Sequence, residues 1–226
     1  MISFDRYRFP KEIILYAVYC YLRYSLSYRD VEELLGDRDV DVDHATIHRW
    51  VVHFSVLVAQ QAQRRKCPTG KSWRMDETYL KVNGKWCYLY RAIDKYGDTI
   101  DFMLSEERDE KAATAFFKQA IDNNGFPNKV VIDKSGANEA GLHNINILLM
   151  LCGMANWIDI LQVKYLNNRI EQDHRFIKKI TKPMMGFKNF HCAHATLTGI
   201  ETVHMIRKGQ LNSRQSFYKQ FADLAA

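Results

Sequence analysis

Apolar and polar positions in the first sixty residues repeat with the period of an α-helix. Across Ile13–Tyr21 the apolar residues recur three and four positions apart, which is the spacing of one buried helix face. Two shorter helices are expected after it. Ser27 is a suitable N-cap for a helix over Tyr28–Leu35, and Asp43 is a suitable N-cap for a third helix, His44 to about Phe54.

The last two of these helices follow each other through a short break, and this order predicts a helix-turn-helix. In that motif the second helix enters the major groove of DNA. An ordinary helical hairpin is the alternative interpretation of the same pattern. The residues of the third helix that we expect to face DNA are His44, Thr46, His48 and Arg49. Those expected to face the protein interior are Ile47, Trp50 and Val51.

Beyond residue 71 the pattern changes to alternating and apolar segments that are typical of strands, separated by turns and helical stretches. Asn83-Gly84 between two such segments is a strong hairpin signal. Lys129–Ile132 is apolar after its first residue, which fits the buried centre of a sheet. The expected strands are Trp73–Val82, Lys85–Asp94, Thr99–Leu104, Lys129–Ile132 and Ile158–Val163, and the expected helices are Asp109–Asn123, Ala137–Leu151, Asn168–Ile180 and His191–Lys208.

Three antiparallel strands, a helix, a parallel buried strand and further helices predict an RNase H-like α/β fold, which is a mixed sheet with flanking helices. The expected domain organisation has four parts. Residues 1–60 form a small all-α helix-turn-helix domain that binds DNA, and residues 61–71 form a basic linker. Residues 72–209 form the RNase H-like catalytic domain, and residues 210–226 form a C-terminal tail.

The 226 residues carry a net charge of +6, and the isoelectric point is about 9.0, which is compatible with a polyanionic partner. The basic residues are concentrated in two segments. Residues 61–75 contain five bases and no acid, and residues 164–188 contain seven bases. Such segments supply salt-dependent contacts with phosphates. The expected phosphate contacts of the first segment are Arg64, Arg65 and Lys66.

The five cysteines are widely spaced and form no Cys-x-x-Cys pair, so buried thiols in a reducing cytoplasm are expected instead of disulfides. The N-terminal residues do not have the layout of a signal peptide. The apolar stretch Ile13–Leu22 is too short to span a bilayer. We therefore expect a cytoplasmic protein without a membrane partner.

Three acidic residues are the main candidates for chemistry. Asp76 lies within an expected strand, Asp133 directly follows the apolar run Val130–Ile132, and Glu171 lies on an expected helix. Three carboxylates brought to one point can hold a pair of divalent cations, which activate an attacking oxygen and stabilise a leaving one in phosphodiester chemistry. Strand alternation puts Glu77 on the opposite face from Asp76, so only one of the two is expected to point at the site.

On the helix Asn168–Ile180, a rotation of about 100° per residue puts Glu171, His174, Arg175 and Lys178 on one face. Asp173 falls on nearly the opposite face. A carboxylate flanked by bases suits a metal site beside a phosphate backbone, but the spacing leaves both Glu171 and Asp173 open as the third acid.

Six segments carry a resemblance to a known family, among them Met75-Asp76-Glu77-Thr78-Tyr79 around the first acid. The chain resembles the DDE transposases of the insertion sequence 6 family, short bacterial transposases that move by cointegrate formation, over about residues 8–209. The segments are Ser27–Asp30, Val42–Trp50, Met75–Tyr79, Lys81–Trp86, Tyr88–Asp94 and Lys164–His174.

The resemblance implies that Asp76, Asp133 and Glu171 are the catalytic triad and hold two Mg²⁺ ions, for which Mn²⁺ can substitute. It also implies that Lys178 contacts DNA near the active site, beside Arg175 on the same face. The implied partners are double-stranded DNA, as terminal inverted repeats and as target, and further copies of the chain in a homodimer or higher oligomer. The implied location is the bacterial cytoplasm, in association with the nucleoid.

One segment departs from the family pattern. After the second aspartate the family usually has Ala-Pro-Ala-Tyr or a similar run, whereas this chain has Lys134–Asn138. The gap of 37 residues between Asp133 and Glu171 is also a little longer than usual. Metal binding is expected to survive this change because the aspartate is retained.

Two other functions are compatible with parts of the pattern. A helix-turn-helix regulator, or a transposase relic without catalysis, would bind DNA but would not need three acids at these positions. A nuclease or retroviral-type integrase would share the RNase H-like fold. An integrase would favour a zinc-binding His-His-Cys-Cys N-terminus, and the sequence has none.

Overall fold

The structure is a computed structural model that describes residues 2–154, 157–184 and 186–226. The chain forms two compact units. The first unit comprises Met1–Cys67 and Phe176–Ala226, and the second unit comprises Pro68–Arg175. This division differs from the domain limits expected from the sequence, since residues 176–209 group with the N-terminal helices.

The first unit is all-α. Ser27 and Asp43 are the N-caps of its second and third helices, as predicted, and Ser27 forms a reciprocal capping box with Asp30. The helices of this unit are α1 (Lys11–Arg23), α2 (Tyr28–Gly36), α3 (His44–Arg65), α7 (Arg175–Thr181), α8 (Phe190–Arg207) and α9 (Phe217–Asp223), with a 3₁₀ turn at Lys182–Met184.

The core of the first unit forms where α3 packs against α1, α2 and α8. Ile47, Trp50 and Val51 are buried, as their spacing predicted. The expected end of α3 near Phe54 is wrong, because the helix continues to Arg65. No glycine or proline interrupts the chain between these points, and the first breaker is Pro68. The first half of the expected linker is therefore helical.

The second unit is built on a five-stranded sheet with the order β3-β2-β1-β4-β5. The first three strands are antiparallel, and β4 and β5 run parallel to β1. This mixed sheet confirms the predicted RNase H-like α/β class. The elements are β1 (Ser72–Val82), β2 (Lys85–Asp94), β3 (Thr99–Ser105), α4 (Glu110–Asn124), β4 (Lys129–Ile132), α5 (Gly136–Leu151), β5 (Asp159–Gln162) and α6 (Lys164–Asp173).

The two faces of β1 have different neighbours. Trp73 and Met75 pack with α4 and α5 in the hydrophobic core. Arg74 and Asp76, which alternate with them, face α6: the Nε of Arg74 donates to the carbonyl of Leu166 at 3.2 Å. The sheet is therefore covered by α4 and α5 on one side and by α6 beside β1 on the other.

The prediction of a single helix over Asn168–Ile180 is wrong, because the segment forms two helices. α6 ends at Asp173, and α7 begins at Arg175, with His174 as the residue between them. The expected common face of Glu171, Arg175 and Lys178 assumed an uninterrupted helix. Within the described ranges no helix is long and apolar enough to cross a membrane.

Candidate active site

The candidate site lies where β4 stops alongside β1. β4 pairs only with Ser72–Arg74, so β1 has an unpaired edge from Met75 onwards on this side. Asp133 directly follows the last residue of β4. Because the carboxyl ends of parallel strands are where sites gather in α/β sheets, this register brings Asp133 next to Asp76.

Three carboxylates meet at this edge. Asp76, Glu77 and Asp133 each offer one oxygen, and these oxygens all lie within 4.8 Å of one another. The expectation that only one of Asp76 and Glu77 could point at the site is wrong. Their side chains leave opposite faces of β1. No strand pairs with β1 on this side beyond Arg74, so both side chains can reach Asp133 at the end of β4. A cluster of hard oxygen ligands such as this suits a divalent cation.

Glu77 is the buried member of the cluster, with only 3% of its side chain exposed. The Nε of Arg108 donates to its Oε1 at 3.1 Å, and the Nδ2 of Asn138 donates to its Oε2 at 3.2 Å. Burial raises the pKa of Glu77, while the Arg108 guanidinium opposes that rise. The Nη2 of Arg108 also lies 3.9 Å from Oδ2 of Asp133. The guanidinium of Arg108 is therefore close to two of the three carboxylates.

Asp133 is held by the start of α5. Its Oδ1 accepts from the backbone N–H of Ser135 at 3.1 Å and from the Nδ2 of Asn138 at 3.4 Å. The segment Lys134–Asn138, which departs from the family pattern, therefore supplies groups that orient the aspartate. Asn138 links Asp133 to Glu77 because it donates to both.

Asp76 is held from the α6 side of the sheet. Its Oδ2 lies 3.2 Å from the Nε2 of His174, and the Nδ1 of the same ring lies 3.3 Å from the Nη1 of Arg91. The Nη2 of Arg91 donates to Oδ2 of Asp173 at 2.7 Å. Asp76 and Arg91 are also direct cross-strand neighbours.

Glu171 lies on α6, is exposed, and is outside the group of three clustered carboxylates. It is three positions before His174, the residue that contacts Asp76, and residues at this spacing are neighbours on a helix surface. Asp173, the other acid that the sequence left open, is paired with buried Arg91. The surroundings of the two acids therefore differ, with one engaged in an ion pair and the other facing solvent.

The candidate DNA-reading residues lie at the start of α3. Arg49 is exposed and donates through Nη2 to the hydroxyl of Thr46, which itself bonds the N-cap Asp43. The Nδ1 of His44 lies 3.0 Å from Oε2 of Glu32. Burial lowers the pKa of His48. Arg49 thus extends furthest into solvent among the four.

The candidate phosphate contacts have different degrees of exposure. Arg64, Arg175 and Lys178 are exposed, and Lys66 is half-buried. Arg65 is exposed and donates through Nη1 to the carbonyl of Asp223.

Several residues around the carboxylates were not identified from the sequence. Glu77 was noticed but placed away from the site by strand alternation. Arg108 and Asn138 contact Glu77, and Arg91 contacts His174. His174 was expected on the face of Glu171, but its contact with Asp76 was not foreseen. The cross-strand position of Arg91 opposite Asp76 was the one signal available in principle, because the Asn83-Gly84 hairpin fixes that register.

Comparisons with known proteins show the family of the chain. A family model described as a DDE domain matches residues 70–210. The transposase for insertion sequence-like element IS431mec of Staphylococcus aureus (strain Mu50) is 39% identical over 216 residues, covering 95% of this chain and 93% of the relative. The transposase for insertion sequence element IS257 in transposon Tn4003, also from Staphylococcus aureus, has the same identity and coverage.

Among solved structures, the catalytic core domain of HTLV-2 integrase in complex with magnesium, in its trimeric form, is similar at 15% identity. The TM-score is 0.46, and the match covers 61% of this chain and 87% of that chain.

The family model spans more than half of the chain, and the transposase relatives span nearly all of it. The enzyme is a DDE-type polynucleotidyl transferase. The chain belongs to the DDE transposases of the insertion sequence 6 family.

Proposed function

We propose that this transposase binds the terminal inverted repeats of its element, nicks the ends, and joins the freed 3′-hydroxyl to target DNA by replicative, cointegrate-forming transfer. The observation that carries the proposal is the convergence of Asp76 and Asp133, from two strands, to within 4.8 Å. Near-complete coverage of two transposases supports the same assignment.

We further propose that Asp76, Asp133 and Glu171 hold two Mg²⁺ ions, for which Mn²⁺ can substitute. Asp76 and Asp133 belong to the cluster of carboxylate oxygens, which are the ligands that these ions take in proteins, so these two residues fit the group. Glu171 is the third acid because the family resemblance implies it. When bound, such a pair supplies an activated water or hydroxyl and stabilises the leaving oxygen of a phosphodiester.

The residues of the chain contribute orientation and charge. The backbone of Ser135 and the amide of Asn138 fix Asp133, and His174 fixes Asp76, so the carboxylates are held before DNA arrives. Glu171, which is exposed on α6, completes the set in this proposal. No serine or cysteine nucleophile is required, because positioning and charge neutralisation carry the reaction.

The basic and helical parts of the chain supply the DNA contacts in this proposal. His44, Thr46, His48 and Arg49 on α3 read the ends, in the manner of the second helix of a helix-turn-helix. Phosphates are contacted by Arg64, Arg65, Lys66, Arg175 and Lys178. Two transposon ends must be handled together, so the active form is a homodimer or higher oligomer on DNA, in the cytoplasm at the nucleoid.

The test is cleavage of labelled terminal-repeat DNA with Mg²⁺, with the nicks mapped to the nucleotide. Asp133→Asn is expected to abolish nicking and strand transfer while DNA binding, measured by gel shift, stays within about twofold of the wild-type value. Asp122→Asn, which changes an exposed acid on α4, is the matched control and is expected to keep full activity. Full strand transfer by Asp133→Asn would refute the assignment, and binding without metal-dependent cleavage by the wild-type chain would favour a regulator.

A further inference from the structure

Resting on the proposed function, we propose that His174 is a positioning residue for metal binding. It holds the carboxylate of Asp76 through a buried hydrogen-bonded chain that runs Asp173, Arg91, His174, Asp76. His174 does not touch substrate in this proposal. Its contribution is to set the orientation of one metal-ligating carboxylate.

The hydrogen-bonded chain is continuous, and its two inner members, Arg91 and His174, are buried. Its three contacts measure 2.7 Å from Asp173 to Arg91, 3.3 Å from Arg91 to His174, and 3.2 Å from His174 to Asp76. The side chain of Arg91 is 0% exposed, and that of His174 is 6% exposed. Hydrogen bonds in such a dry environment are stronger and better defined than those at the surface.

The donors and acceptors fix the tautomer of His174. The guanidinium of Arg91 has only donors, so the Nδ1 facing it must accept. The proton of the neutral ring then lies on Nε2, the nitrogen that faces Asp76. His174 therefore donates from Nε2 to a carboxylate oxygen of Asp76. The contact of Nδ1 with Arg91 favours this tautomer of the ring.

The hydrogen-bonded chain of side chains also joins three elements of the second unit. Arg91 stands on β2 directly opposite Asp76 on β1, and Asp173 and His174 stand at the C-terminal end of α6. Asp173 lies 2.7 Å from the buried guanidinium of Arg91 and anchors it. The position of His174 is thus determined from two sides, and α6, which carries Glu171, is tied to the strand that carries Asp76.

Groups that hydrogen-bond to metal ligands fix ligand orientation, and their loss typically costs about 10–100-fold in metal affinity. Two substitutions separate this role from a structural one. In His174→Gln the longer amide reaches as far as Nε2, so it can accept from Arg91 and donate to Asp76. In His174→Asn the shorter amide can replace Nδ1 towards Arg91 but cannot reach Asp76.

The measurement is Mn²⁺ binding to the full-length protein without DNA, followed by the electron paramagnetic resonance of free Mn²⁺. His174→Asn is expected to weaken binding about tenfold or more. His174→Gln is expected to stay within about threefold of the wild-type affinity. His143→Asn, the same change at an exposed histidine of α5, is the matched control and is expected to bind as the wild type does.

Thermal unfolding of each variant identifies those that retain the fold, and the comparison of the Asn and Gln variants does not depend on a large stability change. Equal Mn²⁺ affinity of the folded His174→Asn variant and the wild type would overturn the positioning role. Equal weakening in the Asn and Gln variants would overturn it as well, since the Gln amide restores both contacts. Asp76→Asn tests the metal site itself, separately from the role of His174. If Asp76→Asn leaves Mn²⁺ binding intact, both the proposed metal site and the positioning role of His174 are wrong.

Discussion

At the scale of single residues, the two acids of α6, Asp173 and Glu171, differ in their surroundings, because only Asp173 pairs with a buried guanidinium. Arg91 is completely buried, and its charge is balanced by Asp173 at 2.7 Å. Removing one member of a buried ion pair leaves an uncompensated charge, which costs far more than a surface pair contributes. Glu171, two positions earlier, is exposed. The two acids are therefore expected to respond to substitution in opposite ways.

Asp173→Asn is expected to lower the free energy of unfolding by about 3 kcal/mol, because Arg91 loses its charge partner while the side chain keeps its shape. Urea-induced unfolding followed by the fluorescence of the tryptophans, one of which is buried Trp73 in the same unit, measures the change.

Glu171→Gln serves as the matched comparison on the same helix. Its free energy of unfolding is expected to stay within about 0.5 kcal/mol of the wild-type value, as for most surface substitutions. Its strand transfer is expected to vanish. If the Asp173 variant were stable but inactive and the Glu171 variant were active, Asp173 and not Glu171 would be the acid required for strand transfer.

The pattern drew attention to Asp76 within a strand and to Asp133 at the end of an apolar run. It left Glu171 and Asp173 open on the helix, and the choice of Glu171 came from the family resemblance. The pattern could not identify Glu77 as a neighbour of Asp133. Strand alternation tells which face a side chain leaves, but not where the neighbouring strand stops. Arg91 was equally hidden, since a charged residue in a strand pattern gives no sign that it is fully buried and paired.

At the scale of elements, strands and capped helices were predicted closely, and helix ends were not. β2 and β4 have the expected bounds, since turn residues and apolar runs delimit them. α3 ran past its expected end, because the last part of its continuation, residues 59–65, consists of Ala, Gln and Arg, which are good helix formers. His174, at the break between α6 and α7, makes tertiary contacts with Arg91 and Asp76, which no local pattern contains.

The packing of α4 on α5 gives a prediction at this scale. A methyl group added at Gly141 would lie 2.8 Å from the Cβ of Ala113 and 3.0 Å from the backbone nitrogen of Thr114. Backbone cannot turn aside as a side-chain end can, so the two helices would have to separate. Gly141→Ala is expected to lower the free energy of unfolding by about 1–2 kcal/mol, after the better helix propensity of alanine is included.

Gly136→Ala, at the first position of the same helix, is the control for this change. Nothing lies within 4 Å of the added methyl group there, so alanine is expected to leave stability unchanged or to raise it slightly. Thermal unfolding of both variants checks the pair. A Gly141 variant as stable as the Gly136 variant would show that α4 and α5 can separate freely.

At the scale of the whole molecule, the first unit is assembled from both ends of the chain. α8 packs on α1 and α3, across more than a hundred intervening residues. Periodicity indicates that a helix has a buried face, but it does not name the partner of that face. For this reason the sequence predicted the helices of this unit but not the packing of α8 against α1 and α3.

The net charge of +6 leads to a prediction about DNA binding by the full chain. Each phosphate contact releases counterions, so the logarithm of the binding constant falls linearly with the logarithm of the salt concentration. Arg64→Gln is expected to reduce that slope by about one and to weaken binding to terminal-repeat and unrelated duplexes equally. Arg49→Gln is expected to weaken binding to the terminal repeat by about 1–3 kcal/mol and to affect the unrelated duplex less, because a base contact carries sequence discrimination.

Fluorescence anisotropy titrations at several salt concentrations, with both duplexes, separate these two effects. Lys118→Gln removes one positive charge from an exposed position of α4 and controls for the change in net charge. If all three variants shift the slope alike, long-range attraction by the total charge governs binding. If Arg49→Gln weakens both duplexes equally, the N-terminal part of α3 contacts backbone only, and the terminal repeats must be recognised by another surface of the protein.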